Sequence, residues 1–317
     1  MAKQPVMLHP AWTSGDRREA LRGHLAMLVF ALLISGSFTF GGIIAPLVDP
    51  AAMNAVRFAI ATVLMAAVIT ATGRWRPGRP GRGQALWRFA ILGGLLGAYF
   101  VLMFEALRLT DPVSTSAVFT LTPLISAGFG YLFLRQISSP LVLTSLVLAG
   151  AGAIWVIFRG DIEAIVRFDV GPGEMLFFIG CVCHAAYTPL VPKLNRGEPV
   201  ILFTFGTLAG GTLLVGIYGW QAIFATDWTG LPPVVYAGIF YLAVFTTAGT
   251  FFLVQFAAMR LPAGKAMAYV YLLPALVMTQ EGLLGHGWAA PRVLPGIAAT
   301  IAALLILLRK DGPVAER

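Results

Sequence analysis

The chain contains ten runs of about 20 mostly apolar residues, separated by short polar stretches. A helix needs about 20 such residues to cross the hydrocarbon core of a bilayer, whereas a transmembrane strand is shorter and alternates in polarity. Continuous runs of this length therefore predict an all-α polytopic membrane protein. The predicted spans 1 to 10 cover about 24–46, 51–72, 85–107, 112–134, 140–158, 173–192, 199–219, 231–258, 263–285 and 291–308.

Composition excludes the main soluble alternatives. Of the 317 residues, 58% are hydrophobic and only 11% are charged, against about 25% charged in a soluble domain. The two cysteines, Cys181 and Cys183, lie inside an apolar run, so neither a disulfide framework nor a metal site is expected. The ten spans leave no room for a large soluble domain. Because the sequence has no Gly-x4-Gly-Lys-Ser/Thr loop, we expect no direct use of ATP and no cofactor.

Lysines and arginines are distributed unevenly between the predicted loops. Of the 22, 17 fall on the side of the two chain ends, one (Arg57) lies inside span 2, and four fall on the opposite side: Arg108, Arg159, Arg167 and Arg292. Positively charged loops mark the cytoplasmic face of a membrane protein. We therefore expect an even number of spans with both termini in the cytoplasm. The net charge of +8 reflects this asymmetry, and no nucleic-acid partner is expected.

The two halves of the chain are related by an internal repeat. Residues 104–109 read Phe-Glu-Ala-Leu-Arg-Leu and residues 256–261 read Phe-Ala-Ala-Met-Arg-Leu, an offset of 152. This predicts two five-helix repeats, 24–160 and 173–309, between tails at 1–23 and 310–317. Five is odd, so the second repeat enters the membrane inverted, as is typical of secondary transporters.

Prolines recur at matching places in the two halves. Pro123 and Pro274 each fall inside a span, 151 residues apart, and Pro140 and Pro291 open the next spans at the same offset. Proline removes a helix hydrogen bond, so we expect Pro123 and Pro274 to mark helix kinks beside a central site. The alternative is that membrane helices simply tolerate these prolines. The Gly93-x3-Gly97 and Gly206-x3-Gly210 patterns predict close helix packing.

Several motifs resemble the drug/metabolite transporter superfamily, in its ten-helix EamA-type branch. The motifs are Ile34–Phe38 in span 1, Arg57-Phe58 in span 2, Ala106–Thr110 and Leu121–Pro123 in spans 3 and 4, and Ala258–Leu261 and Tyr271–Pro274 in the second half. Arg135-Gln136 and His286-Gly287 stand where the family often has Gly-Glu. Within the branch, the chain looks most like bacterial exporters of aromatic amino acids. The resemblance implies a multi-pass protein of the bacterial inner membrane.

Aromatic residues and one histidine are the candidates for lining a central cavity. Apolar walls with a few polar groups suit an amphipathic solute, although many such rings only pack helices or face lipid. His184, near the middle of span 6, either contacts the solute, carries a proton, or joins two helices. The candidates are Phe38, Tyr99, Phe119, His184, Tyr187, Phe245, Tyr269 and Tyr271.

A few charges lie within or near the predicted spans. Arg57 is inside span 2, and Glu105 and Glu281 are near the ends of spans 3 and 9. Charges in a membrane usually pair, so we expect an intramembrane network of Arg57 with Glu105 or Glu281. Arg108 lies three residues after Glu105, which makes a local surface pair the alternative.

These observations favour a secondary exporter of small metabolites, with amino acids including aromatic and apolar ones as the expected solutes. Its partners would be this solute and the lipid bilayer, and it would be a monomer or a homodimer. Two other functions are weighed. A carrier for phosphorylated or nucleotide-linked solutes needs buried cations, of which only Arg57 is clear. An intramembrane enzyme needs clustered acid and base groups at one depth, which are not found around His184.

Overall fold

The computed structural model describes residues 14–73, 75, 85–258, 260–261 and 263–309. Throughout these ranges the regular structure is helical, and no strand occurs among the described residues. Nine helices in this part of the chain are long and apolar enough to cross a membrane. Span 9 is the tenth, and it is divided into shorter pieces. The prediction of an all-α polytopic protein is confirmed.

The first half consists of five spans and a short connecting helix. Span 4 is divided in two by a break after Phe119. The helices are Ser14–Ile44 (span 1), Pro50–Ala71 (span 2), Trp87–Ala106 (span 3), Pro112–Phe119 and Thr122–Leu134 (span 4), and Pro140–Ile157 (span 5). A short helix, Ile162–Arg167, connects the two halves.

The second half repeats this plan with two interrupted spans. Spans 6 and 7 are single helices, Pro172–Leu194 and Val200–Tyr218, and the short helix Trp220–Ala225 follows. Span 8 comprises Pro233–Ala243, a π-helical turn at Val244–Gly249, and Thr250–Ala258. Span 9 comprises Ala263–Met267, a 3-10 turn at Ala268–Leu272, and Leu273–Leu283. Span 10 begins with a 3-10 turn at Pro291–Val293 and continues as Leu294–Arg309.

The start of span 1 differs from its predicted position. The helix begins at Ser14, inside the segment 1–23 that the sequence predicts as a tail. Hydropathy marks only the apolar part of a helix, and the extra turns are polar. Within them Arg22 donates a hydrogen bond to Glu19, an i, i+3 pair that a helix permits on its surface. The rest of the predicted N-terminal tail, together with 310–317, lies outside the described residues.

Helix starts after the tight turns are fixed by capping side chains followed by proline. Asp49 accepts hydrogen bonds from the backbone N–H groups of Ala51 and Ala52 at 2.9 and 3.1 Å. Asp111 accepts one from the N–H of Ser114 at 2.8 Å. Each cap satisfies donors that a helix start leaves open, and the proline after it has no N–H to satisfy. The turns can therefore be only a few residues long.

Both predicted proline positions coincide with helix interruptions. Pro123 is the second residue of the helix that restarts after the break in span 4. Pro274 is the second residue of the helix that restarts after the 3-10 turn in span 9. Each proline lies where its missing N–H removes no bond, because a first turn has no intrahelical acceptor for it. The two halves thus have matching breaks.

Helix contacts follow the internal symmetry. Span 3 packs against spans 6 and 7, and span 8 correspondingly packs against spans 1 and 2. Span 4 packs against span 6 as span 9 packs against span 1, while spans 2 and 7, 4 and 9, and 5 and 10 form pairs across the two halves. Each half therefore builds part of the core of the other.

The loops define two faces of the bundle. The tail face is the end at which span 1 begins and span 10 ends, and the far face is the opposite end. At the far face, Trp155 Nε1 donates to the carbonyl of Arg292 at 2.7 Å. At the tail face, Arg260 Nε contacts Glu19 Oε2 at 2.8 Å. In each contact, the two residues lie at the same face when successive spans alternate in direction. The contacts therefore agree with alternating spans.

The outer surface of the bundle suits lipid. Large apolar side chains point outward from several spans, among them Val63 (68% exposed), Leu132 (64%) and Leu213 (62%). A soluble monomer rarely exposes a contiguous apolar surface, whereas a membrane span presents one to the acyl chains.

Spans 3 and 7 meet at their glycines. A methyl group added to Gly93 would lie 2.2 Å from the backbone nitrogen of Gly211 and 2.7 Å from the carbonyl carbon of Gly210. We expect Gly93→Ala to lower the melting temperature of the purified protein by several degrees, since overpacking typically costs about 1–3 kcal/mol. Gly128→Ala is the control, because nothing lies within 4 Å of its added methyl group. Equal melting temperatures for the two variants would contradict this close contact.

Candidate functional site

Four aromatic rings from spans 1, 3, 4 and 6 form a compact cluster, here called the aromatic layer: Phe38, Tyr99, Phe119 and Phe177. Ring centroids are 6.0 Å apart for Phe38 and Phe119, 6.1 Å for Phe38 and Phe177, 5.6 Å for Tyr99 and Phe119, and 5.7 Å for Tyr99 and Phe177. None is more than 7% exposed. At 1.5 Å per helical residue, each lies about 8–11 Å from the far-face end of its helix. The layer closes the bundle on that side.

His184 lies directly beneath the aromatic layer. Its ring centroid is 4.7 Å from that of Tyr99, 5.4 Å from that of Phe119 and 6.0 Å from that of Tyr187. His184 is twelve residues into span 6, about 18 Å from the far-face end, which places it near the middle of the bundle. Its Nδ1 atom is buried and has no hydrogen-bond partner among the described residues. A buried ring nitrogen of this kind is available to a bound molecule.

A cavity of about 200 Å³, here called the chamber, extends from His184 toward the tail face. Spans 4, 5, 6, 9 and 10 supply its walls. Most of the lining is apolar, and its polar groups include Ser126, Ser138, Thr188 and Tyr271. Pro123 lines the chamber at the break in span 4. The structure therefore has a midplane cavity on the tail-face side and a closed layer on the far-face side.

The predicted cavity residues fall into two groups. Phe38, Tyr99, Phe119, His184 and Tyr187 come together around the layer and the chamber. Tyr271 reaches the chamber from span 9 and is 1% exposed. The other two predicted residues lie elsewhere.

Tyr269 and Phe245 are the two exceptions. Tyr269 Oη lies 2.9 Å from His24 Nδ1 and so links span 9 to span 1. Phe245 is 44% exposed, and its ring packs beside those of Phe240 and Tyr241 on the outer surface of span 8. The prediction that Phe245 lines a cavity does not match this position, because the π turn at Val244–Gly249 directs Thr246 inward instead.

Sequence reasoning missed Phe177, the fourth ring of the layer. Phe177 lies seven residues before His184 on span 6. Seven residues is two helical turns, so both side chains fall on the same side of the helix. That spacing could have identified Phe177 once His184 was chosen.

The expected network of Arg57 with Glu105 or Glu281 is not formed. Glu105 instead pairs with Arg108 at 3.2 Å, and Glu281 Oε2 lies 2.9 Å from His286 Nδ1. The side chain of Arg57 turns between spans 3 and 8. Glu105 is on the exposed side of span 3, which explains why the two do not meet.

A second cavity of about 250 Å³ opens at the far face, outside the aromatic layer. Its lining includes Glu281, His286 and Trp288 from the end of span 9, and Asp111 and Arg159 from neighbouring loops. Arg159 and Asp111 are 3.6 Å apart and largely exposed, a geometry of small energetic weight. This cavity is a vestibule on the closed side of the bundle.

Ion pairs hold the tail face. Arg88, at the start of span 3, donates to Glu198 Oε1 and to the carbonyl of Leu194, both at 2.6 Å. These bonds fasten span 3 to the loop between spans 6 and 7. The hydrogen bond from Arg88 lowers the pKa of Glu198 below its ordinary value of 4.5.

The sequence matches one family model twice. The model of the EamA-like transporter family matches residues 21–158 and 171–309, one match for each half of the fold. The chain belongs to the EamA-like transporter family. It is therefore a transporter of the drug/metabolite superfamily and not an enzyme, and its fold is a pair of repeats of the EamA type.

Two curated relatives and one solved structure agree with this placement. "Uncharacterized transporter YyaM" of Bacillus subtilis (strain 168) is 22% identical over 285 residues, which is 89% of this chain and 92% of the relative. An "Uncharacterized transporter" of Archaeoglobus fulgidus is 23% identical over 253 residues, 79% of this chain and 85% of the relative. One crystal structure at 16% identity superposes with a TM-score of 0.63, covering 92% of this chain and 96% of its own, which shows a shared fold.

The pair of Arg88 with Glu198 should make stability depend on pH. A lowered folded-state pKa means that the pair contributes stability above the unfolded-state value of 4.5 and loses that contribution as the pH falls through the folded-state value. We expect Glu198→Gln to lower the melting temperature at pH 7 by roughly 2–4 °C, and its effect to shrink progressively as the pH falls below 4.5. Glu163→Gln, which removes an exposed pair with Arg167, should change little over the same pH range. A pH-independent effect of Glu198→Gln would contradict the assignment.

Proposed function

We propose that the protein exports small amphipathic metabolites, amino acids including aromatic and apolar ones, across a bacterial inner membrane by alternating access. The observation that carries this proposal is the unpartnered Nδ1 of His184 at the top of a mostly apolar midplane chamber. A polar atom buried without a partner is unfavourable unless something binds to it. In a transporter, that partner is a polar group of the solute.

The size of the chamber supports a small solute. A volume of about 200 Å³ equals roughly seven times the ~30 Å³ share of one water molecule in the liquid. Apolar walls from five spans would hold a hydrocarbon side chain, and the few hydroxyl groups would receive a polar end. An aromatic or branched amino acid combines both parts in one molecule.

The alternative of a phosphorylated or nucleotide-linked solute has less support. Phosphate recognition calls for arginine or lysine at the site. Among the described residues that line the chamber there is neither, and Arg57, beyond the aromatic layer, supplies a single positive charge against about −1.5 to −2 on a phosphate group.

The matching helix breaks support alternating access. Span 4 breaks before Pro123 and span 9 before Pro274, and residues next to both breaks line the chamber. With the far side closed by the aromatic layer and the chamber extending toward the tail face, this arrangement corresponds to loading from the tail side. If the two inverted repeats exchanged conformations, the chamber would instead open toward the far face.

A transport assay in proteoliposomes tests the proposal. We expect radiolabelled phenylalanine and leucine to be carried, with and without a pH gradient, the comparison showing whether protons are coupled. His184→Phe keeps an aromatic side chain but removes both ring nitrogens. It should weaken apparent affinity by roughly 3–10-fold, the range of one lost hydrogen bond. The control is Thr279→Val, which removes an exposed hydroxyl that donates to the carbonyl of Ala275 in its own helix, and it should transport normally. If the folded wild-type protein carries no amino acid from a full panel, the substrate assignment is wrong.

The orientation in the membrane can be tested separately. The charge asymmetry of the loops predicts a cytoplasmic tail face. Two exposed positions suit single-cysteine variants. Arg196 is in the loop between spans 6 and 7, and Asp169 lies before span 6. In intact cells, an impermeant maleimide should label the variant at 169 and not the variant at 196. The reverse pattern would invert the direction assigned to transport.

A further inference from the structure

Arg57 is a buried charge with no ionic partner. Its side chain is 1% exposed and is among the largest fully buried side chains of the described structure. Guanidinium stays protonated under ordinary conditions, and a buried charge is normally paired or neutralised. No ion pair joins Arg57 to a carboxylate in the described part of the chain, whose acidic residues nearest the membrane interior have other partners.

The contacts that Arg57 does make are with neutral groups and are long. Nε lies 3.4 Å from Thr247 Oγ1, and Nη2 lies 3.3 Å from Thr246 Oγ1 and 3.3 Å from Thr247 Oγ1. Nη1 is buried and has no hydrogen-bond partner in the described part of the chain. The guanidinium carbon lies 3.9 Å from the centroid of the Phe100 ring. A planar donor group of this kind matches the two oxygens of a carboxylate, and the described residues supply none within ion-pair distance of it.

The π turn in span 8 forms the opposite wall. Thr246 and Thr247 both donate their hydroxyl protons to the carbonyl of Leu242 at 2.9 Å. The bond from Thr247 spans five residues, a spacing that belongs to a π turn rather than to an α-helix. Since both protons are donated there, both hydroxyl oxygens are left to accept from Arg57. Single π turns occur frequently at functional sites, which is independent support for a site here.

Arg57 lies next to the aromatic layer. Phe100, on which the guanidinium rests, has its ring centroid 4.7 Å from that of Tyr99. Tyr99 in turn is a ring of the layer and covers His184. In the present state these rings separate Arg57 from the chamber. A displacement of the layer would join the two into one compartment.

We propose that Arg57, supported by Thr246 and Thr247, is the subsite for the carboxylate of the transported solute. The single guanidinium charge matches a monoanion. Nη1, which lacks a hydrogen-bond acceptor among the described residues, would donate to the carboxylate. The carboxylate occupies this subsite once the aromatic layer has moved, while the apolar part of the solute remains between the layer and His184. The assignment rests on the proposed transport of a small amphipathic solute, and it limits that solute to organic acids and amino acids.

A purely structural role for Arg57 makes a different prediction. Stacking on Phe100 and bonding to span 8 would stabilise the fold and be indifferent to the chemistry of the ligand. Stability and carboxylate selectivity are therefore measured in parallel on the full-length protein in detergent.

The experiment compares ligands that differ only in the acid group. Binding of phenylalanine and phenylalaninamide is measured by calorimetry for wild type, Arg57→Gln and Arg57→Lys. We expect wild type to bind phenylalanine at least tenfold more tightly than the amide. Arg57→Gln should lose most of that ratio, and Arg57→Lys, which keeps the charge but not the planar fork, should retain part of it. The control is Arg88→Gln, a second buried arginine, which should lower the melting temperature and leave the ratio unchanged.

Two results would overturn the subsite. One is equal binding of acid and amide by wild type, or no saturable binding of any carboxylate probe. The other is an unchanged ratio in the folded Arg57→Gln protein or, if that variant does not fold, in Arg57→Lys.

A third probe, 3-phenylpropionate, separates the subsite from the proposed function. Binding of this amine-free acid that depends on Arg57, with no binding of amino acids, supports the subsite and removes amino acids as substrates. Transport of phenylalanine with no dependence of the acid-to-amide ratio on Arg57 keeps the function and overturns the subsite.

Discussion

Backbone hydrogen bonding inside lipid is the constraint on which the whole structure depends. Within the hydrocarbon core no water is present to satisfy a free N–H or C=O, so a helix can be interrupted only where protein surrounds it. Each interruption in this structure has polar side chains buried in the bundle, although the π turn also presents Phe245 to the outer surface. Thr120 at the break in span 4, Thr246 in the π turn of span 8, and Tyr269 and Tyr271 in the 3-10 turn of span 9 are all buried. Irregular backbone, and the polar groups it frees, is thereby concentrated at the centre of the bundle.

The side chains near these breaks partly replace the missing helix bonds. Thr120 Oγ1 donates to the carbonyl of Ala117 at 2.7 Å, and Thr250 Oγ1 donates to the carbonyl of Thr246 at 2.8 Å. Such bonds allow a helix to change geometry without leaving donors open. A few buried polar atoms still have no hydrogen-bond partner among the described residues, among them His184 Nδ1 and Arg57 Nη1. The chamber and the proposed arginine subsite both lie beside these helix breaks.

Much of the architecture could be predicted from the sequence, because bilayer thickness converts apolar run length directly into spans. The positions of the proline breaks, and of several rings close to His184, could be predicted from depth along each span, whereas a role of these rings in binding a solute stays a prediction. The predictions that do not match the structure depend on which side of its helix a residue faces, and run length does not give that direction. Phe245 faces outward because the π turn rotates the helix, and a π turn has no simple signature in composition. Arg57 and Glu105 both lie in the far-face halves of their spans, yet the Arg57 guanidinium rests on the Phe100 ring while Glu105 pairs with Arg108. The polar start of span 1 at Ser14 was invisible to hydropathy.

The aromatic layer has a consequence for the idle carrier. Proton conduction through a membrane protein requires a continuous file of hydrogen-bonded water. Three of the four rings of the layer, Phe38, Phe119 and Phe177, offer no hydrogen-bonding atom, and the fourth, Tyr99, is only 4% exposed. With these rings closed, a file of water entering the chamber from the tail side would stop at His184. In this closed state, the layer is thus expected to help preserve the ion gradients of the membrane.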